Sequence, residues 1–114
     1  MQYLPLFLNL SQHRCLVVGG GEVACRKLEL LLKTTVHIRV VTLKASARLQ
    51  QIPSTPKLII CEKAFAEKDL DDVQLVVAAT NDAQVNATIA ERAQARGLWV
   101  NVADQPELGN FVFP

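Results

Sequence analysis

Three short runs carry residue types that could do chemistry: Gly19-Gly20-Gly21-Glu22-Val23, Ala79-Thr80-Asn81-Asp82 and Asn101-Val102-Ala103-Asp104. The first reads as G-x-G-x-x-A through Gly19, Gly21 and Ala24, between an apolar stretch ending at Val18 and an amphipathic one opening at Glu22. In that setting Gly19 permits a tight turn, Gly21 lets backbone approach an anion, and Ala24 lets a helix pack on a strand. The free N–H groups of the first helical turn, with the helix dipole, would hold a dinucleotide pyrophosphate. The alternative is a tight strand-to-helix turn that binds nothing. Asp104 is the candidate for proton chemistry, because a carboxylate can accept the proton lost when a hydride leaves a carbon. A turn residue ahead of Gln105-Pro106 accounts for Asp104 equally well. Thr80 and Asn81 would lie near the nicotinamide end of a dinucleotide, while Asp82 reads as a helix cap.

These runs need elements to position them, and apolar segments alternate with helical ones along the chain. Arg14–Val18 is mostly apolar, as a strand buried on both faces should be. Glu22–Leu32 is a helix with an apolar stripe at Ala24, Leu28, Leu31 and Leu32. Val36–Val41 is a second strand, Ala45–Gln51 a short helix, and Pro53-Ser54-Thr55-Pro56 a turn. Leu58–Cys61 is a third strand, Glu67–Leu70 one helical turn, and Val73–Ala79 a fourth strand. Asp82–Arg96 is a helix with Val85, Ile89 and Ala93 on one face, ending at Gly97 in a C-cap position. Leu98–Val102 is a fifth strand and Phe111–Phe113 a candidate sixth. The alternation predicts a single α/β domain of the Rossmann type, doubly wound, with parallel strand order 3-2-1-4-5. In such a sheet ligands bind beyond the carboxyl ends of the strands, where the three runs fall.

The composition is that of a soluble globular protein: 114 residues, half of them hydrophobic, a fifth charged, net charge +1. No basic patch of nucleic-acid type stands out, and no apolar run reaches the ~20 residues of a membrane span. The apolar start, Met1 to Leu8, lacks a basic leader and a small-residue cleavage site. Cys15, Cys25 and Cys61 show no paired spacing, and with His13 and His37 they form no metal-ligand set. Reduced thiols near a core point to the cytoplasm. One expected feature is missing. An acid about 20 residues past the glycines would grip the adenosine ribose, but that zone reads Val41-Thr42-Leu43-Lys44. Either backbone and Thr42 serve the ribose, or Lys44 meets a 2′-phosphate, so these residues leave NAD and NADP both open.

Three stretches resemble siroheme synthase, in order and at family spacing over the whole chain. They are Tyr3-Leu4-Pro5-Leu6-Phe7-Leu8 with Gly19-Gly20-Gly21-Glu22-Val23-Ala24-Cys25-Arg26-Lys27, Ala79-Thr80-Asn81-Asp82 with Val85-Asn86, and Asn101-Val102-Ala103-Asp104. The resemblance implies a precorrin-2 dehydrogenase that is also a sirohydrochlorin ferrochelatase. NAD⁺ would take a hydride from precorrin-2 to give sirohydrochlorin, and Fe²⁺ insertion would then give siroheme. It implies that Asp104 is the base for the dehydrogenation and the acceptor of pyrrole protons during chelation. It also implies cofactor contacts at Glu22 and Val23 and at Leu43 and Lys44, mostly through backbone, and it favours NAD. Family members continue into dimerisation and helical segments, so the resemblance further implies an N-terminal fragment of a homodimer. The rival reading is an NAD-sensing regulatory domain of potassium transport systems, which shares an Ala-Thr-x-Asp pattern after the fourth strand. That domain carries an acid after its second strand and starts almost directly with its first, unlike this chain.

Overall fold

The computed structural model describes residues Met1–Pro114. Gln12 takes φ +63 and turns the chain into β1, Arg14–Val18. Cys15 and Val17 point to one face of the sheet, Leu16 and Val18 to the other, and all four are buried. That double burial explains why the strand reads as a continuous apolar run. The remaining strands are β2 (His37–Thr42), β3 (Leu58–Glu62), β4 (Leu75–Ala78) and β5 (Trp99–Val102). They form one parallel sheet in the order β3-β2-β1-β4-β5, as the sequence predicts.

Helices α1 (Glu22–Leu32) and α2 (Ala47–Gln50) cover one face, and α3 (Ala83–Ala95) covers the other. Each element is bounded by local chemistry. Ser46 caps α2 by accepting the Leu49 N–H at 3.0 Å, so the helix starts at Ala47 rather than Ala45. Asp82 caps α3 from the Gln84 and Val85 N–H groups. Gly97, at φ +73, ends the run after α3. Asp72, at φ +61, keeps Val73 out of the fourth strand, which begins at Leu75.

Val85, Ile89 and Ala93 of α3 pack on one core as expected, and Asn86 and Ala90 are buried on the same helix. One expectation is corrected. Phe111–Phe113 forms no sixth strand. Instead Asn110 occupies the edge of β5 by itself. Its N–H donates to Val100 O at 2.9 Å, its Oδ1 accepts the Val100 N–H at 2.8 Å, and its Nδ2 donates to Leu98 O at 3.1 Å. With these edge groups taken, the two aromatics turn onto the α1 face, where Lys27 Nζ stands 4.7 Å from the Phe113 ring centre.

Candidate functional site

The loops after β1, β2, β4 and β5 all lie at the carboxyl edge of the sheet. The glycine loop sits at its centre, and its three glycines have three different environments. Gly19 has φ +123, and a Cβ there would lie 2.2 Å from Ala79 O, so its absence lets the β1 turn press against the end of β4. A Cβ on Gly20 would meet Thr42 Oγ1 at 2.8 Å, so this glycine lets the loop close on the end of β2. A Cβ on Gly21 would meet nothing within 4 Å.

Gly21 is also the N-cap of α1, and the first helical bond runs from Cys25 N to Gly21 O. The N–H groups of Gly20, Gly21, Glu22, Val23 and Ala24 donate to no acceptor in the protein. Open space beside Gly21, together with unopposed donors at the positive end of a helix dipole, suits a phosphate group. Cys25 lies beneath the loop, and its S–H donates to Gly20 O at 3.7 Å. Burial pushes its thiol up, against the pull of Arg48 and with the push of Glu22 and Glu29. Burial alone pushes the Cys15 thiol up to about 12, so both are packing groups rather than thiolates.

The β2–α2 loop is bonded to the glycine loop. Ser46 Oγ donates to Gly20 O while capping α2. Thr42 is buried against Gly20, and its hydroxyl donates to Lys44 O at 3.1 Å. Thr42 thus shapes the turn that presents Leu43 and Lys44, which are exposed. Glu62, at the end of β3, accepts the Ala45 N–H at 2.8 Å. Arg48 on α2 reaches Glu22 at 3.2 Å and Glu29 at 2.5 Å. The hydrogen bond to Glu29 is the main influence raising the Arg48 pKa above its ordinary value.

The β4–α3 loop is organised by Asn86, which is fully buried. Its Oδ1 accepts the Thr80 N–H at 3.1 Å and the Thr80 hydroxyl at 2.6 Å, and its Nδ2 donates to Thr80 O at 3.1 Å. Three bonds from one amide fix the turn that carries Asn81. The side chains of Asn81 and Asp104 are exposed and bond to nothing in the protein. The β5 loop is tied to β4 by Ala103 N to Ala78 O at 3.0 Å. The fold therefore gathers Gly19 to Val23, Thr42 to Lys44, Thr80, Asn81 and Asp104 along one edge. Glu62 and Arg48 lie outside the motifs read from the sequence, and Asn86 enters there only through the resemblance, with no role assigned. The signal for Asn86 is a polar residue on the stripe that Ile89, Ala90 and Ala93 bury.

A glycine turn feeding a helix N-terminus, at the centre of a 3-2-1-4-5 parallel sheet, defines a dinucleotide-binding domain. A family model described as NAD(P)-binding matches residues 6–114, and the chain belongs to that family. Within it, the chain is homologous to siroheme synthases. It is 45% identical to the siroheme synthase of Psychromonas ingrahamii and 40% identical to that of Nitrosococcus oceani, over 100% of this chain and 24% of each relative. It thus spans about a quarter of the length of these curated relatives. Among solved structures, a precorrin-2 dehydrogenase, SirC, matches 98% of this chain and 54% of its own, with TM-score 0.83 and 30% identity. A Bordetella bronchiseptica enzyme, WbmG, in complex with NAD and UDP, shares the fold at TM-score 0.61 and 20% identity. No helix is long and apolar enough to cross a membrane.

Proposed function

We propose that this chain is the NAD-dependent dehydrogenase domain of siroheme biosynthesis, oxidising precorrin-2 to sirohydrochlorin. The observation that carries the reading is the open space at Gly21 with its unopposed N–H groups, in a chain homologous to siroheme synthases. The five N–H groups of Gly20 to Ala24 bind the pyrophosphate, and backbone at Leu43 and Lys44 lines the adenosine side. Thr80 and Asn81 border the other end, held by Asn86. When bound, NAD⁺ supplies the hydride acceptor. The oxidation removes a hydride and a proton from the substrate, and the Asp104 carboxylate takes the proton. An exposed carboxylate with no protein partner is available to an incoming substrate, which supports that role.

The reading extends to a second reaction in the intact gene product, acting as a homodimer: insertion of Fe²⁺, as substrate, into sirohydrochlorin. Asp104 then accepts the two pyrrole N–H protons one at a time, passing each to solvent, to which it is exposed. The resemblance to siroheme synthase supports these steps. The test supplies precorrin-2 and NAD⁺ to the intact gene product and follows NADH and sirohydrochlorin, with Asp104→Ala alongside. Turnover in the parent should fall at least 100-fold in the variant, about the contribution of a general base, with NADH binding retained. A folded, NAD-binding parent without turnover would remove the enzyme reading and leave an NAD-sensing domain.

A further inference from the structure

Arg48 stands on α2, the helix that follows β2, the strand whose end reads the adenosine ribose in dinucleotide-binding folds. In such folds an acid at the end of β2 takes the 2′-hydroxyl of NAD, or a nearby arginine accommodates the 2′-phosphate of NADP. This chain has the arginine without the acid, which by itself points to NADP. The structure shows that the arginine is already engaged. Arg48 Nε faces Glu22 Oε2 at 3.2 Å, and its Nη2 faces Glu29 Oε1 at 2.5 Å. Glu22 and Glu29 are two helical turns apart on α1, so both carboxylates present to one side. Ser46, two residues before Arg48, is bonded to Gly20 O, and this places α2 against the phosphate-binding turn.

We propose that Glu22, Arg48 and Glu29 together select NAD over NADP, an inference that rests on the cofactor reading above. The two carboxylates take Nε and Nη2, the paired edge of the guanidinium that an arginine could offer to a 2′-phosphate. The triad also carries a net charge of −1, which opposes a further dianion at the same rim. Lys44 is the other cation of this loop, and it is exposed. NAD has no 2′-phosphate and meets no such opposition. Surface ion pairs of this kind contribute little to folding, so variants that break the triad should remain folded.

The experiment measures NADH and NADPH binding to the intact gene product by nucleotide fluorescence. Three proteins are compared: the parent, the Glu22→Gln/Glu29→Gln variant, and that variant with Arg48→Met added. The parent should favour NADH. The double variant should shift the NADPH-to-NADH affinity ratio towards NADPH by about tenfold or more, the size of one charged hydrogen bond released to the phosphate. Adding Arg48→Met should return the ratio towards the parent's, which a merely structural triad would not do. A parent that binds both nucleotides equally would overturn the proposal, as would a double variant that binds NADH with an unchanged ratio. Failure of all three proteins, verified as folded, to bind either nucleotide would instead overturn the cofactor reading itself, and the selection with it.

Discussion

The two halves of the sheet's carboxyl edge are built differently. On the β1–β2 side, backbone and side chains are bonded to one another: Ser46 to Gly20, Thr42 to Lys44, Glu62 to Ala45, and Arg48 to two glutamates. On the β4–β5 side the backbone is equally well held, by Asn86 and by Ala103, yet Asn81 and Asp104 keep their side chains free. A binding surface gains from rigid, satisfied groups, because ordering them at the moment of binding would cost affinity. A proton acceptor must keep its carboxylate open to the substrate. The proposed function assigns recognition to the first half and reaction to the second.

The largest effect should come from the point where the halves meet. Gly19→Ala places a methyl 2.2 Å from Ala79 O at a backbone φ of +123. Neither the clash with backbone nor the dihedral can be relieved without parting β1 from the β4 turn. A loss of about 3 kcal/mol or more is expected, read by denaturant unfolding. An alanine variant as stable as the parent would mean that the halves are not joined through this glycine.

Next comes the scaffold of the reactive half. Asn86→Ala leaves the Thr80 N–H and carbonyl without their partner inside the protein, while the hydroxyl keeps Asp82 O at 3.1 Å. About 2 kcal/mol should be lost. NADH affinity should fall less than it does on disturbing the glycine loop, since the proposed pyrophosphate donors belong to the other half. Equal losses of affinity would show that the β4 turn carries as much of the recognition as the glycine loop.

The recognising half also has an ionic anchor beneath it. Asp69 is buried and accepts from Lys63 Nζ at 2.5 Å and from Ala66 N at 2.8 Å, with Arg39 of β2 at 4.0 Å. Burial disfavours its charge, but the bonds from Lys63 and Ala66 and the charges of Lys63 and Arg39 outweigh that, and its pKa falls below the ordinary 3.8. A lowered folded pKa adds stability above the unfolded value, and that stability is lost as pH falls through the folded value. Asp69→Asn should cost about 1–2 kcal/mol at pH 7, with the gap from the parent closing as pH drops below about 4. A gap that stays constant on acidification would show that Asp69 is held by shape rather than charge.

Much of this architecture is legible in the residues because its signals are local. The apolar run of β1, the glycine turn and the cap at Asp82 each lie within a few neighbouring positions, and they suffice for the 3-2-1-4-5 order. The parts that escape are joined across distance. Ser46 meets Gly20 and Arg48 meets Glu22 across 26 positions each, and Glu62 meets Ala45 across 17. No spacing rule encodes such pairs. The sixth strand at Phe111–Phe113 reads as apolar and β-prone, and it fails because Asn110 has already taken the edge of β5. At Thr42 the residue type suggests a ribose contact, and the hydroxyl's bond to Lys44 O, which shapes the loop, is not signalled by it.

The smallest effect on stability, and the sharpest separation of folding from binding, should come from Gly21→Ala. Its φ of −83 is open to any residue, and a Cβ there meets nothing within 4 Å. Stability should change by less than about 0.5 kcal/mol, or rise slightly as the unfolded chain loses freedom. The methyl nevertheless stands in the space that the unopposed N–H groups of Gly20 to Ala24 leave for a phosphate. NADH affinity should therefore drop by an order of magnitude or more in a protein that unfolds like the parent. Gly19 and Gly21, two residues apart, would then divide the motif into a glycine that the fold requires and a glycine that the ligand requires. An alanine at Gly21 that leaves binding intact would place the pyrophosphate elsewhere on the carboxyl edge, and with it the boundary between the two halves.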